Sequence, residues 1–165
     1  MVPNPVSQDH LLGFGAIIHE YARFERLIEI VVSVLMNSEV GPVGIVMSGL
    51  GYRGKIDVLN SFLLLTSLPA NHKTVFADVL KRLDAHNALR NLIAHYDWVP
   101  GERPESIRPL SITARGGKAK VRGVEDGEPD YTASELMAIA HEVSGLYREL
   151  CDHLFAIGML GRRAV

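Results

Sequence analysis

The hydrophobic and polar positions follow a helical period towards both ends of the chain. From residue 11 to about residue 37, apolar side chains recur every three or four positions, which is the period of an amphipathic helix; they are Ile17, Tyr21, Phe24, Ile28, Val31, Val32 and Leu35. A second apolar stripe runs from Leu136 to Ile157 and opens with Thr132-Ala133-Ser134-Glu135, the arrangement of a capping box. The pattern predicts a long helix near each end.

The middle of the chain predicts two further helices of unequal strength. Glycines at positions 44, 49, 51 and 54 weaken the first half of segment 43–68, because each costs roughly 1 kcal/mol relative to alanine inside a helix. That half is interpreted as a weak helix or a loop, and residues 55–67 as a firmer helix. The next helix is predicted to begin with Asn71 as its N-cap and to run to Tyr96 or Trp98, before Pro100.

An extended segment precedes the last helix. Residues 106–115 have the composition of an extended strand, and residues 118–122 alternate between polar and apolar. The two segments flank Gly116-Gly117, a tight-turn dipeptide, so they predict a β-hairpin followed by a polar loop. The predicted fold is mainly α: a four- to five-helix bundle with a small β-hairpin inserted before the last helix. We expect a single domain over residues 1–165, with a loose leader at 1–10 and the hairpin and loop insertion at 102–130.

Composition narrows the class of protein. The 165 residues include 47% hydrophobic and 22% charged residues, typical of one globular domain. The net charge of −2 argues against sequence-blind coating of nucleic acid. One cysteine, Cys151, allows no disulfide within the chain and favours a reducing, cytoplasmic compartment. The N-terminus lacks the pattern of a signal peptide, and no apolar run reaches the roughly 20 residues of a membrane span.

Several common sites have no support in the sequence. The glycines near Lys55 lack the Gly-Lys-Ser/Thr ending of a phosphate loop. No His-Glu-x-x-His run and no Gly-x-Ser-x-Gly elbow occur. The sequence therefore predicts no metal site, no cofactor and no serine-hydrolase activity.

One stretch near the end of the third long helix carries chemistry: residues 90–95, Arg-Asn-Leu-Ile-Ala-His. Cleavage of RNA through its own 2′-hydroxyl needs a group that exchanges protons near neutral pH and a cation that holds the phosphate. His95 suits the first role and Arg90 the second. Asn91 shares a helix face with His95 and is expected to orient the imidazole or contact RNA. Tyr96 is a candidate for stacking or for a phosphate hydrogen bond.

This stretch resembles the motif of the higher eukaryotes and prokaryotes nucleotide-binding (HEPN) superfamily: Arg, four to six residues, then His, often with Asn directly after the Arg. The resemblance is concentrated in residues 89–98. It implies a helical bundle that forms a homodimer with a composite cleft and acts as a metal-independent endoribonuclease, such as a toxin or defence component. It equally allows a non-catalytic dimeric module that binds RNA, a nucleotide or a protein partner, and a toxin controlled by an antitoxin.

The spacing between Arg90 and His95 is by itself weak support for membership of this family. Arg148 and His153 repeat it on the last helix, with Glu149 after the Arg. Arg90 and His95 are five positions apart, about 140° around an ideal helix, so a site shared by two subunits would fit them better than one helix does. A structural alternative is a buried Arg90 paired with an acid. Its candidate partners are Asp57, Asp78, Asp84 and Asp97.

The hairpin region is basic. Between residues 103 and 122 there are six cationic side chains and one acidic one, a net charge of +5. An RNA-backbone surface is one interpretation, with Arg115, Lys118, Lys120 and Arg122 as the contacts. A solvated hairpin edge, where lysine opposes strand-to-strand aggregation, is the other.

Overall fold

Helices dominate the chain. The computed structural model describes residues 5–115, 118–122 and 129–161, with the side chains of 111–115 and 118–122 left aside. Within these residues there are five helices: α1 (Gln8–Leu35), α2 (Val40–Ser48), α3 (Tyr52–Leu65), α4 (Ala70–His95) and α5 (Ala133–Ala156). Four strands lie between α4 and α5: β1 (Asp97–Pro100), β2 (Ser106–Arg115), β3 (Lys118–Arg122) and β4 (Tyr131–Thr132). The predicted mainly helical fold with a small antiparallel insertion is confirmed.

The strands are organised around β2. It pairs antiparallel with β1 from Asp97↔Leu110 to Pro100↔Ile107, and with β4 at its start. Its second half pairs with β3, from Ser111↔Arg122 to Arg115↔Lys118, so the predicted hairpin strands are confirmed. The predicted turn at 116–117, most of the polar loop and residues 1–4 lie outside the described residues.

The chain divides into two compact units. The sheet unit comprises the described parts of Met1–His19 and His86–Val143, and the helical unit those of Glu20–Ala85 and Ser144–Val165. Three helices, α1, α4 and α5, contribute residues to both units. The motif at residues 90–95 and the hairpin belong to the sheet unit.

The helical unit is built on the apolar stripes that the sequence predicts. Most stripe residues of α1 and α5 meet apolar residues of α3 and α4 in its core. The following are at most 1% exposed: Tyr21, Phe24, Ile28, Val31, Leu59, Phe76, Leu83, Leu146, Leu150 and Leu154. Leu35 and Ile157, near the ends of the stripes, are only partly buried. The Tyr21 hydroxyl donates to the Leu83 carbonyl at 2.7 Å, which satisfies a buried polar group.

A buried ion cluster lies in the same unit. Lys55 of α3 donates to Glu25 at 2.9 Å and to Glu29 at 3.0 Å, both on α1, and its side chain is only 9% exposed. Burial opposes the charged carboxylate of Glu29, but hydrogen bonds from Lys55 and Arg26 outweigh it and lower the pKa of Glu29. Loss of one partner from such a buried cluster costs about 3–5 kcal/mol, so it fixes α3 against α1.

In the sheet unit, β1 and β4 are anchored by aromatic packing and a network of charges. Trp98 of β1 packs on Phe14 at 4.7 Å between ring centroids and on Tyr131 at 6.1 Å. Arg103 binds Asp130 and, at 2.7 Å, both carboxylate oxygens of Glu135. The loop before β2 is thereby tied to the start of α5.

Some element bounds differ from the sequence prediction for identifiable reasons. α1 begins at Gln8 rather than near residue 11, since the Ser7 side chain accepts a hydrogen bond from the His10 amide at 3.3 Å and caps it. α4 begins at Ala70 and ends at His95, so Asn71 lies inside it and Trp98 lies in β1. Within the described residues, no helix combines the length and apolar character needed to cross a bilayer.

Candidate functional site at the end of helix α4

The motif occupies the last two turns of α4, and the helix stays regular through it. The Tyr96 amide still donates to the Leu92 carbonyl at 3.1 Å, an α-helical bond just past the end of α4. Arg90 and His95 are therefore about 140° apart around the helix and about 7.5 Å apart along its axis. The structure does not bring these two side chains to one point on the surface of α4.

Arg90 and Asn91 are joined. A guanidinium nitrogen of Arg90, Nη1, donates to the Asn91 side-chain oxygen at 3.1 Å. Arg90 is half-buried and Asn91 is exposed, so the amide holds one end of the guanidinium near the surface. Within the described chain, no side-chain hydrogen bond joins Asn91 to His95. The amide thus orients the arginine rather than the imidazole.

His95 is exposed at the C-terminal end of α4, where an imidazole has access to solvent and to a large substrate. The second Arg-x4-His instance differs. His153 is half-buried in the helical unit and packs on His72 at 5.1 Å and on Phe76 at 6.1 Å between ring centroids. Burial, with a contribution from His72, lowers the pKa of His153. Only the first instance leaves its histidine accessible.

Most acids proposed as partners for a buried Arg90 bind other arginines. Arg53 pairs with Asp84 at 3.2 Å and with Asp57 at 3.8 Å, and Arg82 pairs with Asp78 at 3.1 Å. These three pairs belong to the helical unit, whereas Arg90 belongs to the sheet unit. Of the four candidates, three therefore bind arginines of the helical unit.

A second histidine lies beside the motif and was missed by sequence reasoning. His86 is one helical turn before Arg90 on the same face of α4, and its Nε2 lies 3.2 Å from a Glu142 carboxylate oxygen on α5. A carboxylate that orients an imidazole is a common arrangement for proton transfer. The four-residue spacing from His86 to Arg90 was the available signal, but its pairing with Glu142 depends on the fold.

Tyr96 follows the motif directly and is half-buried, so its ring is only partly accessible for the stacking or phosphate contact proposed for it.

The strand that comes next, β1, connects this end of α4 to the hairpin. Asp97 pairs with Leu110, and the following residue of β2, Ser111, pairs with Arg122. This register puts the backbones of Asp97 and Arg122 about two strand spacings, roughly 10 Å, apart. The hairpin therefore starts beside the motif.

The cationic residues of the hairpin region fall into two groups. Arg103 binds Asp130 and Glu135, and Arg108 binds Glu102 at 2.8 Å, so acidic partners offset their charge. The other four cations lie on the paired segment of β2 and β3, where Arg115 pairs with Lys118, Thr113 with Lys120 and Ser111 with Arg122. They occupy one set of alternate backbone positions, and Ile112, Ala114, Ala119 and Val121 occupy the other. The side chains of residues 111–115 and 118–122 are not among those that the structure describes.

Comparison of the chain with protein-family models, curated proteins and solved structures finds no match. The resemblance to the HEPN superfamily therefore rests on the sequence motif at residues 90–95 alone. Within the described residues, no group of three or more His, Cys, Asp and Glu side chains is arranged to hold a metal ion.

Proposed function

We propose that the chain is an endoribonuclease of the HEPN type that cleaves RNA without a metal ion, with Arg90 and His95 as its catalytic residues. The observation that carries this proposal is the state of the motif: His95 is exposed, and the guanidinium of Arg90 is held by the Asn91 amide. A proton-transfer group and an oriented phosphate-binding fork are what this reaction requires.

In the proposed reaction, the RNA supplies its own nucleophile. His95 takes the proton of the 2′-hydroxyl while the 2′-oxygen attacks the adjacent phosphorus. The bond to the 5′-oxygen of the next nucleotide breaks, and that oxygen leaves with a proton taken from solvent, while His95 returns the proton of the 2′-hydroxyl to solvent. The products are a 2′,3′-cyclic phosphate and a 5′-hydroxyl. Arg90 stabilises the charge that develops on the phosphoryl oxygens, because its planar fork matches two of them.

The proposed enzyme is a homodimer. Along one regular helix Arg90 and His95 face directions about 140° apart, so a single copy of α4 places them poorly for one phosphate. A cleft lined by the motifs of two copies allows Arg90 of one copy to act with His95 of the other. The hairpin residues Arg115, Lys118, Lys120 and Arg122 would then hold the RNA backbone.

The test is single-turnover cleavage of a mixed RNA pool in the presence of EDTA. We expect cleavage by the wild type and a loss of about 10²–10⁴-fold in His95→Ala, the usual contribution of a proton-transfer group. Arg90→Ala is expected to lose cleavage as well. The matched controls are His141→Ala and Arg148→Ala, exposed residues of α5, which should cleave like the wild type. Absence of cleavage by folded wild type would refute the proposal.

The half-burial of Arg90 favours a second candidate function, because it limits how far the guanidinium reaches towards a phosphate. In that case the chain is a non-catalytic dimeric module that binds RNA, a nucleotide or a protein partner. RNA binding without cleavage, unchanged in His95→Ala, would support it. A role as a cytoplasmic toxin or defence component, controlled by an antitoxin or another protein, belongs to the first proposal.

A further inference from the structure

The leaving group of the proposed cleavage needs a proton. An alcohol oxygen leaves poorly as an alkoxide, so an acid that protonates it as its bond to phosphorus breaks contributes about 10²–10⁴-fold in rate. His95 does not fill this role, because it takes a proton on the side of the 2′-hydroxyl. The attacking and leaving oxygens lie roughly in line through the phosphorus, so the acid belongs on the opposite side of the phosphate from His95.

His86 lies beside the arginine that is proposed to bind the phosphate. It is four positions before Arg90 on α4, about 6 Å along the helix axis and 40° around it, and both residues belong to the sheet unit. His95 follows His86 on the same helix, about 180° around it. In a composite site, His86 and Arg90 of one copy therefore reach the phosphate from one side, and His95 of the other copy reaches it from the opposite side.

A carboxylate faces the imidazole of His86. Nε2 of His86 lies 3.2 Å from a Glu142 carboxylate oxygen, and the two side chains are 19% and 55% exposed. Because Nε2 faces Glu142, Nδ1 is the ring nitrogen that remains for a substrate, and within the described residues it makes no hydrogen bond. A carboxylate beside one ring nitrogen holds the ring in place and stabilises the imidazolium, the form that gives up a proton.

Given the proposed ribonuclease function, we propose that His86 is the general acid of the same site and that Glu142 positions it. The imidazolium of His86 transfers the proton on Nδ1 to the 5′-oxygen as the bond between that oxygen and phosphorus breaks. The neutral ring then regains a proton from solvent, and His95 releases to solvent the proton that it took from the 2′-hydroxyl. The protons balance, and no water is consumed.

The test compares single-turnover cleavage, in EDTA, of two RNA oligonucleotides of one sequence. One is ordinary RNA, and the other carries sulfur in place of the 5′-bridging oxygen at the linkage that the wild type cleaves. A thiolate leaves without a proton, because thiols are much stronger acids than alcohols.

We expect His86→Ala to cleave the ordinary RNA about 10²–10⁴-fold more slowly than the wild type, and the sulfur-substituted RNA at the rate of the wild type. Glu142→Gln should show a smaller loss, again on the ordinary RNA only. His95→Ala should be slow on both substrates, because the 2′-hydroxyl still has to lose its proton. His86→Gln, which keeps more of the side-chain volume, should behave as His86→Ala does, and circular dichroism checks the fold of every variant.

His141→Ala is the matched control, since His141 is an exposed histidine next to Glu142 on α5; it should cleave both RNAs like the wild type. Equal losses on the two RNAs in folded His86→Ala would overturn the inference, because they indicate a structural or binding role. Wild-type cleavage of the ordinary RNA by His86→Ala would overturn it too. Both results require an active wild type, whereas a wild type that cleaves neither RNA refutes the ribonuclease function itself and the inference with it.

Discussion

Arg103 links a loop to a helix through two carboxylates. Its hydrogen bonds, with one from the Thr132 amide, lower the pKa of Glu135 from 4.5 to about 2. The Arg103 amide and the Ser106 hydroxyl hold the pKa of Asp130 well below its usual range. A carboxylate whose pKa is lowered by folding stabilises the folded state above its unfolded pKa, and that stabilisation is lost as pH falls through the folded pKa.

We therefore expect the thermal unfolding midpoint of the wild type to fall as pH decreases from about 4.5 to about 2. The midpoint of Arg103→Ala should fall less steeply over the same range. The measurement is the thermal unfolding midpoint by circular dichroism against pH. Arg148→Ala is the control, because Arg148 is exposed and makes no ion pair within the described residues; it should keep the slope of the wild type. An unchanged slope in Arg103→Ala would contradict the role assigned to Arg103.

The partners of individual charges were the least predictable feature at this scale. Four aspartates were equally suitable for Arg90 in the sequence, yet three of them bind Arg53 or Arg82. Such pairings join residues up to 31 positions apart, as in Arg53 and Asp84, and depend on which helix faces meet. By contrast, the local contact between Arg90 and Asn91 joins neighbours in the sequence.

Among the elements, α1 and α5 show how close packing uses glycine. A Cβ atom built on Gly13 of α1 would lie 2.7 Å from the Cβ of Leu136 on α5, whereas one built on Gly15 would meet nothing within 4 Å. Gly13 therefore lets the two helices approach closely in the sheet unit. Gly15, two positions later, has no such role.

This difference predicts opposite effects for one substitution at two positions. Gly13→Ala should destabilise the fold by about 1–3 kcal/mol, because the helices must separate or strain. Gly15→Ala should stabilise it by about 1 kcal/mol, because alanine is the better helix former. Urea unfolding midpoints measure both. Equal midpoint shifts in the two variants would show that Leu136 does not crowd Gly13.

Elements with strong local patterns were predicted well. The capping box at the start of α5 is confirmed: the Glu135 amide donates to the Thr132 hydroxyl at 3.3 Å, and the Thr132 amide donates to the Glu135 carboxylate at 2.8 Å. α2 was predicted weakly because its glycines lower helix propensity. In the structure, Val43 and Met47 of α2 are buried, so tertiary packing supports a helix that its propensity does not favour.

The sequence did not predict β1, because this strand also depends on tertiary contacts rather than on local pattern. The sequence around Trp98 continues an apolar pattern that suits a helix, but β1 forms through pairing with β2, from Pro100 with Ile107 to Asp97 with Leu110. Packing of Trp98 on Phe14 then adds a contact from the other end of the chain. Neither partner is visible in a local window of sequence.

At the scale of the whole molecule, the chain divides into two compact units, and three helices contribute residues to both; that it forms a single domain stays a prediction. The class of the fold followed from periodicity, because long amphipathic stripes specify helices directly. The position of the motif at the end of α4 was also predictable. The exposure of His95, the half-burial of His153 and the pairing of His86 with Glu142 were not predictable, since each depends on contacts between helices.

The central claim is that Arg90 of one copy acts with His95 of another to cleave RNA without a metal ion. The most direct measurement is RNA cleavage in EDTA by an equimolar, re-equilibrated mixture of Arg90→Ala and His95→Ala chains. Each variant alone should be inactive. In the mixture, half of the dimers contain both variants and each of these has one intact composite site, so about a quarter of the wild-type activity should return. A mixture that stays inactive while the wild type cleaves RNA would contradict the shared site.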